Sequence, residues 1–321
     1  MATRRALLKF LAGSAAVIPA RAFAQKWPDR PVKLLVPFAA GGNTDGIARL
    51  IGQRLSESLG QAFVVENRVG AGGIVATTAL ARATPDGYTL MMAALPQLAI
   101  LPVLKQTDYD PIADFAPISN IASNPFCLVA NPEFEPKTLQ QFVDYVKARP
   151  GKLAYASGGT GSLSHLAMVL LCERAGLNMV HVPYKGGAPA VADVIANQVP
   201  VYFANLSEAM PHVGHSVRAY AVSGSRRVTK IGDVPTVAEC GYPGFKAETW
   251  NGLIAPAKTP QTVIELVAGE AQKALNDPLI LQRFDGYGVE PIGSSATEFK
   301  ITIDADVAQW RKTIKDAGIK L

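Results

Sequence analysis

Two stretches of the chain follow one pattern: VKLLVPFAAGGNTDGIARL at residues 32–50 and YASGGTGSLSHLAM at residues 155–168. Each is a short apolar strand that ends in glycines and runs directly into a helical pattern. A near-continuous apolar run such as 32–38 suits a parallel strand buried on both faces, with a helix packed across it. The two units stand in different halves of the chain, so they call for two similar α/β lobes. Each lobe then offers a helix N-terminus at the carboxyl end of a strand, the edge where ligands sit in open α/β sheets.

The remaining sequence continues this alternation. Ile47, Leu50, Ile51, Leu55 and Leu59 are spaced as on one face of a helix over 45–59, and Gly60 marks its end. Strands are expected at 62–66, 127–130, 153–156, 179–184, 199–204 and 218–223. Helices are expected near 74–82, 139–148, 162–175, 188–197, 262–276 and 296–317. The largely apolar stretch 90–104 is interrupted by Pro96, Gln97 and Pro102, which makes it too broken for a membrane span and consistent with a buried strand and its exit loop. Residues 241–260 read as a Pro/Gly-rich connection.

The first 24 residues read as an address. Arg4, Arg5 and Lys9 precede the apolar stretch 10–18, and Ala22-Phe23-Ala24 supplies an A-x-A-like cleavage site. Thr3-Arg4-Arg5 with Leu7-Leu8-Lys9 also fits a twin-arginine signal. This segment holds four basic residues, Arg21 included, and no acidic one, so its removal lowers the formal net charge from +5 to +1. The mature chain therefore lacks the basic balance that nucleic-acid binding favours. Cys127, Cys172 and Cys240 form no CxxC pair; one disulfide is open to them in an oxidising compartment, but the odd count reads better as buried small hydrophobes.

A helix N-terminus carries unpaired N–H groups and about half a positive charge, and glycines let a ligand approach the backbone, so each loop is a site for an anionic group. In the first loop Asn43 and Thr44 add donors and Asp45 is placed to cap the helix. In the second, Ser157, Thr160 and Ser162 add hydroxyls, with Ser162 the cap candidate. Neither loop contains a Walker A lysine or a G-x-G-x-x-G run, so a carboxylate fits better than a nucleotide phosphate, and no cofactor motif is present. Lys185 and Arg68 each stand beside a Gly-rich turn and could lend charge to an acid, or could simply be solvated.

Catalytic and metal patterns are weak. Glu208, His212 and His215 fall at i, i+4 and i+7, but Pro211 and Gly214 break that face, so a surface loop is expected and no metal site. His165 lies one turn into the second helix, where it can either reach a ligand or pack beneath the loop. An exported hydrolase pairing Ser162 or Ser164 with His165 is the rival reading, but no G-x-S-x-G elbow or orienting acid accompanies it. A carboxylate sensor serving a signalling partner is a further alternative.

The run from Trp27 onward resembles the periplasmic substrate-binding proteins of tripartite tricarboxylate transporters, the Bug family. The likeness is carried by VPFAAGGNTD, VVENRVGAGG, ATPDGYTL, DYDPIADFAPI, YASGGTGSLSHL, HVPYKGGAPAV, VPTVAECGYPGF and WNGLIAPAKTP, in that order. It implies a type II periplasmic binding protein: two α/β lobes, 25–122 plus 224–321 and 123–223, joined by two crossing strands around a ligand cleft. It also implies a monomeric, periplasmic, non-enzymatic receptor that passes a small organic acid (a di- or tricarboxylate, or an aromatic carboxylate) to a membrane permease. Carried over position by position, the ligand would meet Phe38, Ala39, Gly41, Gly42, Asn43, Thr44 and Asp45 of one loop. On the other it would meet Ser157, Gly158, Gly159, Thr160, Gly161, Ser162 and His165. MMAALPQLAILPVL departs from the family's polar segment after DGYTL, which implies a more apolar distal pocket and a ligand with an apolar or aromatic body. Residues 195–199 also depart, lacking the Gly-Gly usual before Gln-Val.

Overall fold

The computed structural model describes residues 27–38, 40–184, 186–286 and 288–319. The export signal expected over 1–24 lies outside these residues, as do Ala39 and Lys185.

The chain begins with β1 (Val32–Val36), α1 (Asn43–Leu59), β2 (Phe63–Asn67), α2 (Ile74–Ala81) and β3 (Thr89–Ala94). A wide helical turn, Pro96–Ile100, leads into α3 (Leu101–Leu104), followed by β4 (Phe115–Ala130) and α4 (Leu139–Lys147). Next come β5 (Ala154–Ser157), α5 (Leu163–Ala175), β6 (Val180–Pro183), α6 (Gly187–Ile195), β7 (Val201–Asn205), α7 (Leu206–Ala209) and β8 (Arg218–Val222). The chain closes with β9 (Glu248–Pro256), α8 (Gln261–Ala274), α9 (Pro278–Gly286), β10 (Glu290–Pro291) and α10 (Ala296–Asp316).

The strands are ordered β2-β1-β3-β9-β4-β7-β5-β6, with β8 and β10 also pairing with β4. β1 runs parallel to β2 and β3, and β5 runs parallel to β6 and β7. β4 serves both lobes. Phe115 to Pro125 pair antiparallel with β9, and from Phe126 onward the partners are β7 and, from Cys127, β8. Ser223, fully buried, pins the return of the chain to this crossing. Its amide donates to the Phe126 carbonyl (2.8 Å), and its Oγ accepts from the Phe126 amide (2.8 Å) and donates to the Ala247 carbonyl (2.5 Å).

Strand alternation divides the core into layers. Val32, Leu34 and Val36 face Ile47, Ile51 and Leu55 of α1 and Val263 and Val267 of α8. Leu35 lies in the opposite layer, with Leu80 of α2 and with Phe299 and Trp310 of α10. That layer continues through Leu128, Phe203, Phe142 and Leu166, so one apolar cluster joins the two lobes. Val129 and Tyr202 face Val191 and Val194 of α6.

Three sequence expectations change. Strand β4 is far longer than 127–130, because cross-strand pairing with β9 overrides the poor strand preference of Pro117, Asn120 and Pro125. Within 241–260 lies β9, a central strand. Residues 95–104 form helical turns where an exit loop was expected, with a Pro in the first turn of each, where its missing N–H costs nothing. Among the described residues no helix is long and apolar enough to cross a membrane. The three cysteines are free, with Cys127 buried and Cys172 and Cys240 partly so.

Candidate functional site: a cleft at three helix N-termini

A cleft of about 530 Å³ opens between the two strand–glycine–helix units. The N-termini of α1 (Asn43, Thr44), α5 (Ser162, Leu163, Ser164) and α6 (Gly186, Gly187) all line it. Their dipoles add to a positive potential in this space. Its apolar lining comes from both lobes, Phe38, Ala94, Pro96 and Leu101 from the first and Phe126 and Leu163 from the second. Polar lining comes from β4 and its neighbour β9, with Asn124 of β4 and Thr249 and Asn251 of β9.

The glycine amides of the second loop do not face a ligand. Gly158 N donates to Ser164 Oγ (2.9 Å), Gly159 N to Ser157 Oγ (3.1 Å) and Gly161 N to His165 Nδ1 (3.2 Å). Ser162 N donates to the Gly159 carbonyl (3.1 Å). Partly buried donors must pair, and small polar side chains a few residues away fold back to accept them. The donors left without an acceptor among the described residues are the amide of Thr160 at the loop tip and, in the first turn of the helix, those of Leu163 and Ser164. At the first loop Gly41 N donates to Asp45 Oδ2 (2.9 Å), while the amides of Gly42, Asn43, Thr44 and Asp45 find no acceptor among the described residues. Gly159 (φ 127°) and Gly161 (φ 77°) hold the second loop in the left-handed region open to glycine.

Eight of the expected ligand residues therefore line the cleft: Phe38, Asn43, Thr44, Gly158, Gly159, Thr160, Gly161 and Ser162. Gly41, Gly42, Asp45, Ser157 and His165 do not, and Ala39 is outside the described residues. Asp45 is not the cap of α1. Gly42 holds that position, and Asp45 sits in the first helical turn, 2% exposed, clamped by Arg49 Nε (2.9 Å), Gly41 N and Asn67 Nδ2 (2.8 Å). Burial raises its carboxyl pKa, but these hydrogen bonds outweigh burial and hold it below the usual carboxylate range. Ser162 does cap α5, its Oγ accepting from His165 N (3.4 Å). Arg68 pairs with Glu66 beside it.

Beneath the second loop His165 and His181 stack with ring centroids 3.9 Å apart, and Ser157 Oγ contacts His181 Nε2 at 2.6 Å. Of the two roles open to His165, the structure shows packing under the loop. Burial, and then the neighbouring His181, push the His165 pKa down to about 4; burial also lowers that of His181. Ser162 Oγ donates to the Gly159 carbonyl (2.6 Å) and contacts Ser164 Oγ (2.9 Å), and neither hydroxyl bonds an imidazole among the described residues. A pH dependence follows. The neutral imidazole is the folded form, so its contribution is complete above about pH 6.5 and is lost as pH falls through about 4. Urea titrations at pH 7 and pH 4 should show the wild type losing about 3 kcal/mol relative to His165→Gln. An equal change in both proteins would refute the buried neutral pair.

Sequence reasoning missed the polar lining of the cleft. Asn43 Nδ2 donates to Asn124 Oδ1, Asn124 Nδ2 to Asn251 Oδ1 (2.8 Å) and Asn251 Nδ2 to Thr44 Oγ1 (2.8 Å). This chain of amides ties the first loop to β4 and β9. Two Asn side chains inside apolar strands, in SNPFCLV and TWNGLIA, were the available signal. It also missed Glu208, which is held by the short helix α7 (where a surface loop was expected) and faces the cleft. Burial raises the Glu208 carboxyl pKa, against the opposing effects of the Tyr202 hydroxyl (3.2 Å) and the Asn205 amide.

Two α/β lobes, two crossing strands and a cleft at facing helix N-termini define a type II periplasmic binding protein. The model of the tripartite tricarboxylate transporter family receptor matches residues 47–319, and the chain belongs to that family of solute-binding receptors. Protein BugT of Bordetella pertussis is 34% identical over 307 residues, covering 95% of this chain and 94% of BugT. Rpa4515 of R. palustris, solved with adipate, is 34% identical with a TM-score of 0.79, over 92% of this chain and 99% of that one. MatC (Rpa3494) from Rhodopseudomonas palustris, with bound malate, is 32% identical with a TM-score of 0.75, over 89% and 99%.

Proposed function

We propose that the chain captures a small organic carboxylate in the periplasm, closes its two lobes on it and delivers it to a membrane permease, without chemistry. The observation that carries this reading is the set of unpaired amides in the first turns of α1 and α5, which come from different lobes and open on one cleft. A carboxylate that joins the two sets gains its full complement of hydrogen bonds only in the closed form, and the equilibrium shifts by that difference. Binding of adipate and malate by Rpa4515 and MatC supports a carboxylate as cargo. The side containing Phe38, Pro96 and Leu101 favours an apolar body. Of the division into 25–122 plus 224–321 and 123–223, the first boundary is supported by the change of partners along β4, which falls three residues later, between Pro125 and Phe126. A purely binding role is supported by Ser162 and Ser164, whose hydroxyls contact each other and, among the described residues, not the His165 imidazole.

A thermal-shift screen against mono-, di-, tri-, amino and aromatic carboxylates tests the reading. An acid at a hundred times its dissociation constant adds about 2.7 kcal/mol, a shift of several degrees. No shift with any acid, or turnover of ester substrates at Ser162, would overturn it.

A further inference from the structure

Among the described residues Glu208 is the one carboxylate lining a cleft otherwise built to attract anions. It lies against the N-terminus of α6, so close to Gly187 that any side chain there would overlap the carboxylate. Tyr202, itself buried, gives it a hydroxyl, but no lysine, arginine or histidine among the described residues pairs with it. Gly187 in turn sits against Gly158 of the second loop, so this acid belongs to the neighbourhood in which a ligand carboxylate would be held. A second acceptor stands across the cleft: Asn43 Oδ1 is buried and has no donor among the described residues, its Nδ2 being engaged by Asn124. The cation at the rim, Lys105, is exposed, where water and salt screen it.

Glu208, which has the Tyr202 hydroxyl and the Asn205 backbone amide but no cationic partner among the described residues, and Asn43 Oδ1, which has no donor there, define what a bound acid has to bring. A dicarboxylate would set a second negative charge in the same partly desolvated space as Glu208, whereas an ammonium group would complete it. Building on the carboxylate-receptor reading, we propose that Glu208 is the specificity-determining residue of this cleft, selecting carboxylates that also carry an ammonium group over dicarboxylates of equal length.

Calorimetry with three straight-chain series of four to eight carbons tests the assignment: alkanoates, alkanedioates and ω-aminoalkanoates. The wild type should bind its best aminoalkanoate at least about tenfold more tightly than the alkanedioate of the same length. Glu208→Gln, which keeps the shape and the contact with Tyr202, should abolish or invert that preference. Glu133→Gln, at an exposed carboxylate that does not line the cleft, should retain it. Melting curves of both variants establish that they fold. A wild-type preference for the alkanedioate, or an unchanged ratio in Glu208→Gln, would overturn the role of Glu208 and leave the receptor reading intact. Absence of binding by every series and by the wider acid panel would overturn both.

Discussion

Leucine in place of Gly158 is expected to weaken acid binding by about a hundredfold or more while the protein still folds. A Cβ at this position meets only ordinary contacts, the Gly186 carbonyl carbon at 3.5 Å and the Gly187 nitrogen and Ser164 Oγ at 3.6 Å. Gly158 is not among the residues with positive φ, so an L side chain strains nothing there. The rest of the leucine has to go into the cleft between the first turns of α5 and α6, where it excludes the carboxylate. Loss of two hydrogen bonds to a charged group, at about 1.5–3 kcal/mol each, corresponds to roughly a hundredfold or more. The melting temperature should stay within about 4 °C, since a change of 1 kcal/mol moves a domain of this size by only a few degrees. Calorimetry that found wild-type affinity in a folded Gly158→Leu protein would place the ligand elsewhere.

Asn251→Leu should be the most damaging change in the polar lining of the cleft. Asn251 is 2% exposed and joins Asn124 to Thr44, residues from β4 and α1. Leucine fills a similar volume but leaves the Asn124 amide hydrogens in a buried site without their acceptor, and Thr44 Oγ1 loses its donor. The expected loss of stability is about 2–4 kcal/mol, the cost of stranding buried polar groups. The double variant Asn124→Leu/Asn251→Leu removes both ends of the central hydrogen bond, so it should lose less than the sum of the two single changes. Denaturant unfolding of the three variants gives the answer, and strict additivity would show that the amides do not act as a unit. The same substitution frees Thr44 in the first turn of α1, so acid affinity should fall along with stability.

What could be read from the sequence was local. Strand, glycine turn and helix are adjacent in the chain at 32–59 and 154–175, and their boundaries follow from signals a few residues apart. Gly60 ends α1 at φ 73°, Gly176 ends α5 at φ 64°, and Ser162 caps α5. The roles within the loops were less legible. Asp45 and Ser157 looked like donors or caps for a ligand but are spent on neighbouring amides, because a buried amide takes the nearest acceptor and the sequence does not say which side chain will fold back.

The chain by itself determined that there would be two α/β units with helix N-termini at strand ends, since burial of alternating apolar runs and the orphan amides of a helix turn are properties of short segments. Only the tertiary structure decided that those ends share one cleft, that β4 passes between lobes with a change of partners at Pro125, and that Asn251 reaches Thr44 across 207 positions. It alone also brought Glu208 against Gly187. Those pairings depend on how distant strands register and how loops close, and the free energy of such contacts is absent from any local stretch of sequence until the whole sheet is assembled.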